Sequence, residues 1–342
     1  MRGLPTSLLL LPLLWAVCLP TGVCSQPETG EGSSPPTVQQ TFVQTAYRLH
    51  FAPRFAKFAA ASAELSNAVA LTCREFTPGN VEKARGAWID AMLAWESAGA
   101  ILVGPLLDRH SAANVDFWPT RPSMIEGALR KPQDVAALRR TGVAARGLPA
   151  LEWLLWLPGD AQRTVDQDRA CAYTLLLADD VAQEAQILEA SFVALGNATS
   201  TPENAVKRLG EMINQTTGAV EVLRRKRLLN PATVGNPKAF ARSLSGQSRR
   251  AWDAQWESIN SFLLSGQGSI QALLIESRLD PSAARLKEAA TRSDDAIRKA
   301  VPADPGSVGH AAEALMKLRR VLEAEVAAPL AIPISFSDFD GD

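Results

Sequence analysis

The strongest constraint on this chain is an apolar spacing of three and four residues that persists along most of its length. In NVEKARGAWIDAMLAWESAGAILV, Val81, Ala84, Trp88, Met92, Trp95 and Ala98 fall on one side of a helix. Asn80 stands where an N-cap belongs, with Glu82 in the first turn. From Val165 the spacing returns with Cys171, Leu175, Ala178, Ala182, Ala185, Leu188, Phe192 and Leu195. A third helix opens with Thr201 as cap and Pro202 at its first position, carries Val206, Leu209, Ile213, Val220 and Leu223, and closes on the basic run 224–227. Trp252, Trp256, Ile259 and Leu263 mark another before SGQGS, Asp280-Pro281 starts a further one, and Val308, Ala311, Leu315, Leu318 and Leu322 mark the last. No alternating strand pattern interrupts them, so the fold class is all-α, built as two packed antiparallel helical bundles with halves of about 41–197 and 201–328.

The ends read differently. MRGLPTSLLLLPLLWAVCLPTGVCSQ has one positive charge, Arg2, and an apolar run too short for a spanning helix, which is the pattern of a cleaved signal peptide over 1–25. Two forms stay open: a soluble exported protein, or a lipoprotein attached to the membrane through Cys24. Residues 26–40 are rich in Pro, Gly, Ser and acid and read as a flexible leader; 329–342 read as a C-terminal tail beyond a domain spanning 41–335. With 35 basic against 36 acidic residues the formal charge is -1, which gives no bulk field for nucleic acid. Export leaves Cys73 and Cys171 in an oxidising compartment, where a lone pair reads as a disulfide; two buried free thiols are the alternative.

Chemistry is sparse. The three histidines, His50, His110 and His310, sit in no close-spaced metal pair, and they read as surface or core residues. No HExxH, G-x-S-x-G or phosphate-binding glycine loop occurs. The proline-punctuated stretch around VDFWPTRP gathers Asp116, Phe117, Trp118 and Arg121 in a loop, where function often resides, although Trp118 could equally plug the end of a bundle. In SLSGQSRRAWDAQW, Ser248 is a candidate cap, with Arg249 and Arg250 in the first turn. Two cations at a positive helix end imply either an anionic ligand or an ion pair with a neighbouring helix.

The segments ARGAWIDAMLAWESAGAILVGPL, VDFWPTRP, RGLPALEWLLW, RACAYTLLLADDVA and SLSGQSRRAWDAQWESI, in this order, resemble the imelysin-like family of bacterial envelope proteins. The resemblance implies an all-α exported protein. Its relatives include an insulin-cleaving metallopeptidase and proteins associated with iron uptake. The family hallmark is G-x-H-x-x-E, whose His and Glu lie on one helical face where they can share a metal. Here the motif falls on Gly147 and Glu152, and Pro149 replaces the histidine. A metal ion on Glu152 would lack its imidazole, so the ligand set is incomplete and the cofactor is left open.

The resemblance and the altered motif together imply a non-catalytic ligand- or metal-binding accessory protein linked to envelope iron-uptake components, with no nucleic acid partner and membrane association only through a lipidated Cys24. The expected cleft joins Trp118, Arg121, Gly147 and Glu152 with Ser245 and Arg249. Two alternatives stand beside it: a metallopeptidase in which Asp116 or Glu126 replaces the lost ligand, and a structural envelope protein without a ligand. A carboxylate on so apolar a stretch needs a partner, and Arg121, Arg146 and Arg169 are the candidates for Glu152.

Overall fold

Caps and prolines divide the apolar stripes into helices. The computed structural model describes residues 35–131, 134–156 and 167–334. Thr37 opens α1 (Val38–Ala46) with a reciprocal box, its hydroxyl accepting from Gln40 N–H while the Gln40 side chain accepts from Thr37 N–H. A π-helical turn, Tyr47–Phe51, carries the chain into α2 (Ala52–Arg74). Thr77 caps α3 (Pro78–Ala98), with Pro78 in its first turn. The cap therefore lies earlier than Asn80, whose buried side chain instead donates to Glu75 O.

Prolines and glycines then break the chain into α4 (Pro105–Asp108), α5 (Ser111–Val115), α6 (Pro122–Leu129), α7 (Val135–Arg139) and α8 (Gly147–Leu155). The long α9 (Gln167–Asn197) follows, and Thr201 and Pro202 start α10 (Pro202–Val222). The basic run does not end that helix. It lies in a second π-helical turn, Leu223–Leu229, which continues into α11 (Asn230–Thr233). The last helices are α12 (Ser248–Leu264), α13 (Ile270–Glu276), α14 (Asp280–Lys299) and α15 (Pro305–Val321), the last extended by a π-helical turn, Leu322–Ala327. No strand occurs among the described residues, apart from one isolated bridge between Val301 and Asp304.

In the core, α2 packs between α3 and α9, α14 packs on α15, and α12 lies against both α3 and α14. The predicted stripes supply much of this core: Trp88, Met92, Trp252, Trp256, Leu315 and Leu322 are all buried. One stripe residue faces the other way, because Val206 is 58 % exposed. Cys73 and Cys171 are joined as a disulfide between α2 and α9. His50 is buried against Phe51 and Phe262, whereas His110 and His310 are exposed. The helix begins at Val38, so 38–40 are not leader. The signal peptide, Cys24, Val165 and the tail beyond 334 lie outside the described residues. None of the described helices is long and apolar enough to cross a membrane.

Candidate functional site

The site begins at the start of α8. Gly147 has φ +71°, and a Cβ there would lie 2.2 Å from Val115 O and 2.7 Å from Asn114 O. The first turn of α8 is thereby pressed onto the end of α5, and Trp88 Nε1 holds it from α3 by donating to Leu148 O at 3.0 Å. Pro149 is buried in that turn, where its missing N–H goes unneeded. Replacing Gly147 with alanine sets both a left-handed backbone and a backbone clash against the fold. A loss of about 2–3 kcal/mol is expected, read as a lower urea midpoint with an unchanged m-value.

One turn further in, Glu152 is 2 % exposed. Its Oε1 accepts the backbone N–H of Ser245 at 2.9 Å and the Ser245 hydroxyl at 2.6 Å. Ser245 reaches this position through a tight turn in which Arg242 takes φ +63° and Gly246 φ +74°, closed by Gln247 N–H donating to Arg242 O at 2.8 Å. A left-handed conformation at a non-glycine residue costs roughly 1–2 kcal/mol and persists where the surroundings impose it.

What holds Arg242 there is charge. Its side chain is completely buried, its Nε donates to Glu96 Oε1 at 3.0 Å, and its Nη2 lies 3.0 Å from that oxygen and 2.7 Å from Asp116 Oδ1. The guanidinium also sits 5.9 Å from the Trp88 ring centre. Arg227, from the π-helical turn, donates to Asp116 Oδ2 at 3.0 Å, and the Gln255 amide of α12 donates to Glu96 Oε2. Burial alone would lower the Arg242 pKa, but Asp116, Glu96 and Glu152 together hold it above its ordinary value. Burial alone would likewise raise the Asp116 carboxyl, yet Arg242 and Arg227 keep it below the usual carboxylate range. Asp116 is thus held as an ionised acceptor. Glu96 and Glu152 each accept hydrogen bonds from donors already in place.

Beside this network lies a cavity of about 110 Å³, with Trp95, Glu96, Asp116, Gln215, Arg227 and Gln255 in its wall. The wall is contributed by α3, α5 and its following loop, α10, the π-helical turn and α12.

The residues around Glu152 do not fit a metal. Pro149 offers no ligand atom, Glu152 Oε1 already accepts two hydrogen bonds, and the nearby guanidinium of Arg242 repels a cation. Among the described residues, no group of three or more His, Cys, Asp or Glu side chains is arranged to hold a metal ion.

Of the six cleft residues expected from the sequence, the structure brings Glu152 and Ser245 into contact, with Gly147 setting the helix that carries Glu152. Trp118 is half-buried in the loop beyond Asp116. Arg121 is exposed and lies over the Phe117 ring at 5.4 Å. Arg249 is directed elsewhere. It donates to Asp253 of its own helix and to Ile297 O and Ala300 O at the end of α14, so a neighbouring helix end answers its charge. Ser248 is the first helical residue and Gln247 takes the cap position without a side-chain hydrogen bond. The hydrogen bonds to Glu152 come from a serine rather than from an arginine, and Arg146 pairs with Asp180. Glu96, Gln215, Arg227, Arg242 and Gln255 were not singled out from sequence. Glu96 alone carried a readable signal, a carboxylate next to Trp95 on a buried helical face.

Residues 51–322 match the family model described as Imelysin (Peptidase_M75). Two solved structures share the fold. An imelysin-like protein from Psychrobacter arcticum 273-4 superposes with a TM-score of 0.67 at 17% identity, covering 87% of this chain and 97% of its own. A protein from Parabacteroides distasonis ATCC 8503, described as an iron-regulated protein A precursor, superposes with a TM-score of 0.69 at 18% identity, covering 86% and 97%. No curated protein shows a significant match in sequence.

Proposed function

Because the chain belongs to the imelysin family, we propose that it is an exported envelope protein that binds a ligand without hydrolysing it and serves as an accessory to iron uptake. The observation that carries this reading is the double hydrogen bond from Ser245 to Glu152, beside the guanidinium of Arg242. That arrangement occupies the family's acid, and Pro149 replaces the histidine that would share a metal with it. A carboxylate held as an acceptor, next to a fixed cation, is suited to positioning a polar partner rather than to activating water. The link to iron draws on the iron-regulated description of one structural relative. The partners are envelope iron-uptake components, the location is the periplasm after signal-peptide cleavage, and no nucleic acid is involved. The cavity wall draws on helices of both proposed halves, about 41–197 and 201–328.

The test is an incubation of the purified mature chain with an unfolded polypeptide, with and without chelator. No cleavage above the protein-free control is expected, and Glu152→Gln should leave that result unchanged. Chelator-sensitive cleavage that disappears in Glu152→Gln would overturn the reading.

A further inference from the structure

We infer that the outer faces of α6 and α7 form a docking surface for an anionic phospholipid leaflet, one that needs no lipid on Cys24. Each helix buries one side and shows the other. Ile125, Ala128 and Leu129 of α6 and Leu138 of α7 belong to a single hydrophobic core, whereas Met124, Arg130, Val135, Arg139 and Arg140 are exposed, as is Arg121 just before α6. Lys131 and Asp134 stand three residues apart, a span of at most about 11 Å, so the end of α6 and the start of α7 are neighbours in space. The outward sides therefore adjoin.

Charge sets the sign of the partner. From Arg121 to Arg140 the chain carries five basic residues against two acidic ones, a net of +3 in a protein whose total is -1, so this stretch stands against a remainder of -4. Asp134 is already engaged, accepting the N–H of Ala137 at 2.7 Å as the cap of α7. Arg121 lies over the Phe117 ring, and among the described residues Arg130, Arg139 and Arg140 have no carboxylate partner. Free guanidinium groups suit phosphate, which they can meet with two parallel hydrogen bonds. Exposed apolar side chains then choose among anions. Met124 is 47 % exposed and Val135 56 %, one on each helix between the arginines. A phospholipid leaflet offers phosphates with an apolar layer directly beneath them, so it accepts both kinds of side chain at once, which a soluble polyanion does not.

The experiment is co-sedimentation of the full mature chain, prepared without a lipid anchor, with vesicles of phosphatidylglycerol and phosphatidylethanolamine in equal parts, beside vesicles of phosphatidylcholine alone. The chain is expected to pellet with the anionic vesicles, to be released as salt is raised, and to stay in solution with phosphatidylcholine. Each basic residue near an anionic surface is worth about fivefold in partitioning, so Arg139→Gln with Arg140→Gln should weaken binding about 25-fold. Met124→Ser with Val135→Ser keeps every charge and should weaken vesicle binding about tenfold while leaving retention on immobilised heparin unchanged. All four positions are exposed, so both double variants should keep the melting temperature of the parent chain. An environment-sensitive dye on Val135→Cys should shift to the blue on anionic vesicles. Equal pelleting with phosphatidylcholine, no pelleting with either vesicle, undiminished binding by the arginine variant, or a dye that does not shift while the chain pellets would overturn the inference. Vesicle binding that survives Met124→Ser with Val135→Ser intact would also overturn it, since the face would then recognise any polyanion, an acidic protein included. None of these results touches the non-hydrolytic reading, which fails only in the cleavage assay.

Discussion

Replacing Arg242 with methionine is expected to destabilise the fold by about 3–5 kcal/mol at neutral pH, the range for a buried ion pair that loses one partner. The side chain is completely buried, and its removal leaves Glu96 and Asp116 without their nearest cation. Arg227 still reaches Asp116 at 3.0 Å but lies 4.0 Å from Glu96, too far to replace what is lost. The pH dependence gives the variant its signature. In the intact protein Asp116 is held below its ordinary value of 3.8, so its contribution to stability is present above that pH and is lost as pH falls through the lower folded value. Without Arg242, burial dominates and the folded value rises. The carboxylate then costs stability above 3.8, a cost relieved as pH falls. Urea unfolding from neutral to acidic pH should therefore show the gap between the two proteins widest near neutrality and narrowing toward pH 4. A constant gap would mean that lost packing, not charge, sets the effect.

The second large effect is expected from the disulfide. Cys73 and Cys171 are 98 residues apart, and closing a loop of that length stabilises the native state by about 4–5 kcal/mol in the chain-entropy account. The double alanine variant should lose an amount of that order in urea or guanidinium unfolding. The unreduced mature chain should also weigh two protons less than the reduced one. Two alkylatable thiols without reductant would contradict the bond. The bridge ties α2 to α9, helices separated in sequence by α3 and by the broken segment that holds Asp116 and α8. Its loss should therefore bear on the frame around Glu152 as well as on overall stability.

The helices were legible because each stripe repeats its apolar spacing over several turns, and because Thr201-Pro202 and Asp280-Pro281 are strong start signals. Ends were less so. Asn80 and Ser248 resemble caps, but Thr77 with Pro78 and Gln247 hold those positions, since capping depends on where the backbone turns rather than on residue type alone. Glu152 was legible as an anomaly, a carboxylate among leucines and tryptophans. Its partner was not. Ser245 lies 93 residues away and is delivered by a turn with two left-handed residues, one of them an arginine, which local propensity disfavours. The pairing of Arg242 with Glu96 spans 146 positions and that of Gln255 with Glu96 spans 159, distances at which only the assembled helices decide who meets whom. Asp116 was visible as part of a packed loop and as a stand-in ligand, while its actual neighbours are two arginines.

The π-helical turn over Leu223–Leu229 explains how one basic tetrapeptide serves two environments. In the run Arg224, Arg225, Lys226 and Arg227, the Arg225 side chain is 55% exposed and the Arg227 side chain only 15%. A π-helical turn is equivalent to one residue inserted into an α-helix, and it shifts the phase of everything beyond it. Arg227 reaches Asp116 in that shifted phase, whereas the ordinary winding of α10 presents Gln215 to the same cavity. The number of residues in this segment is thereby as much a part of the site as their identities: a chain one residue shorter here could keep every side chain named above and still turn its guanidinium away from the carboxylates.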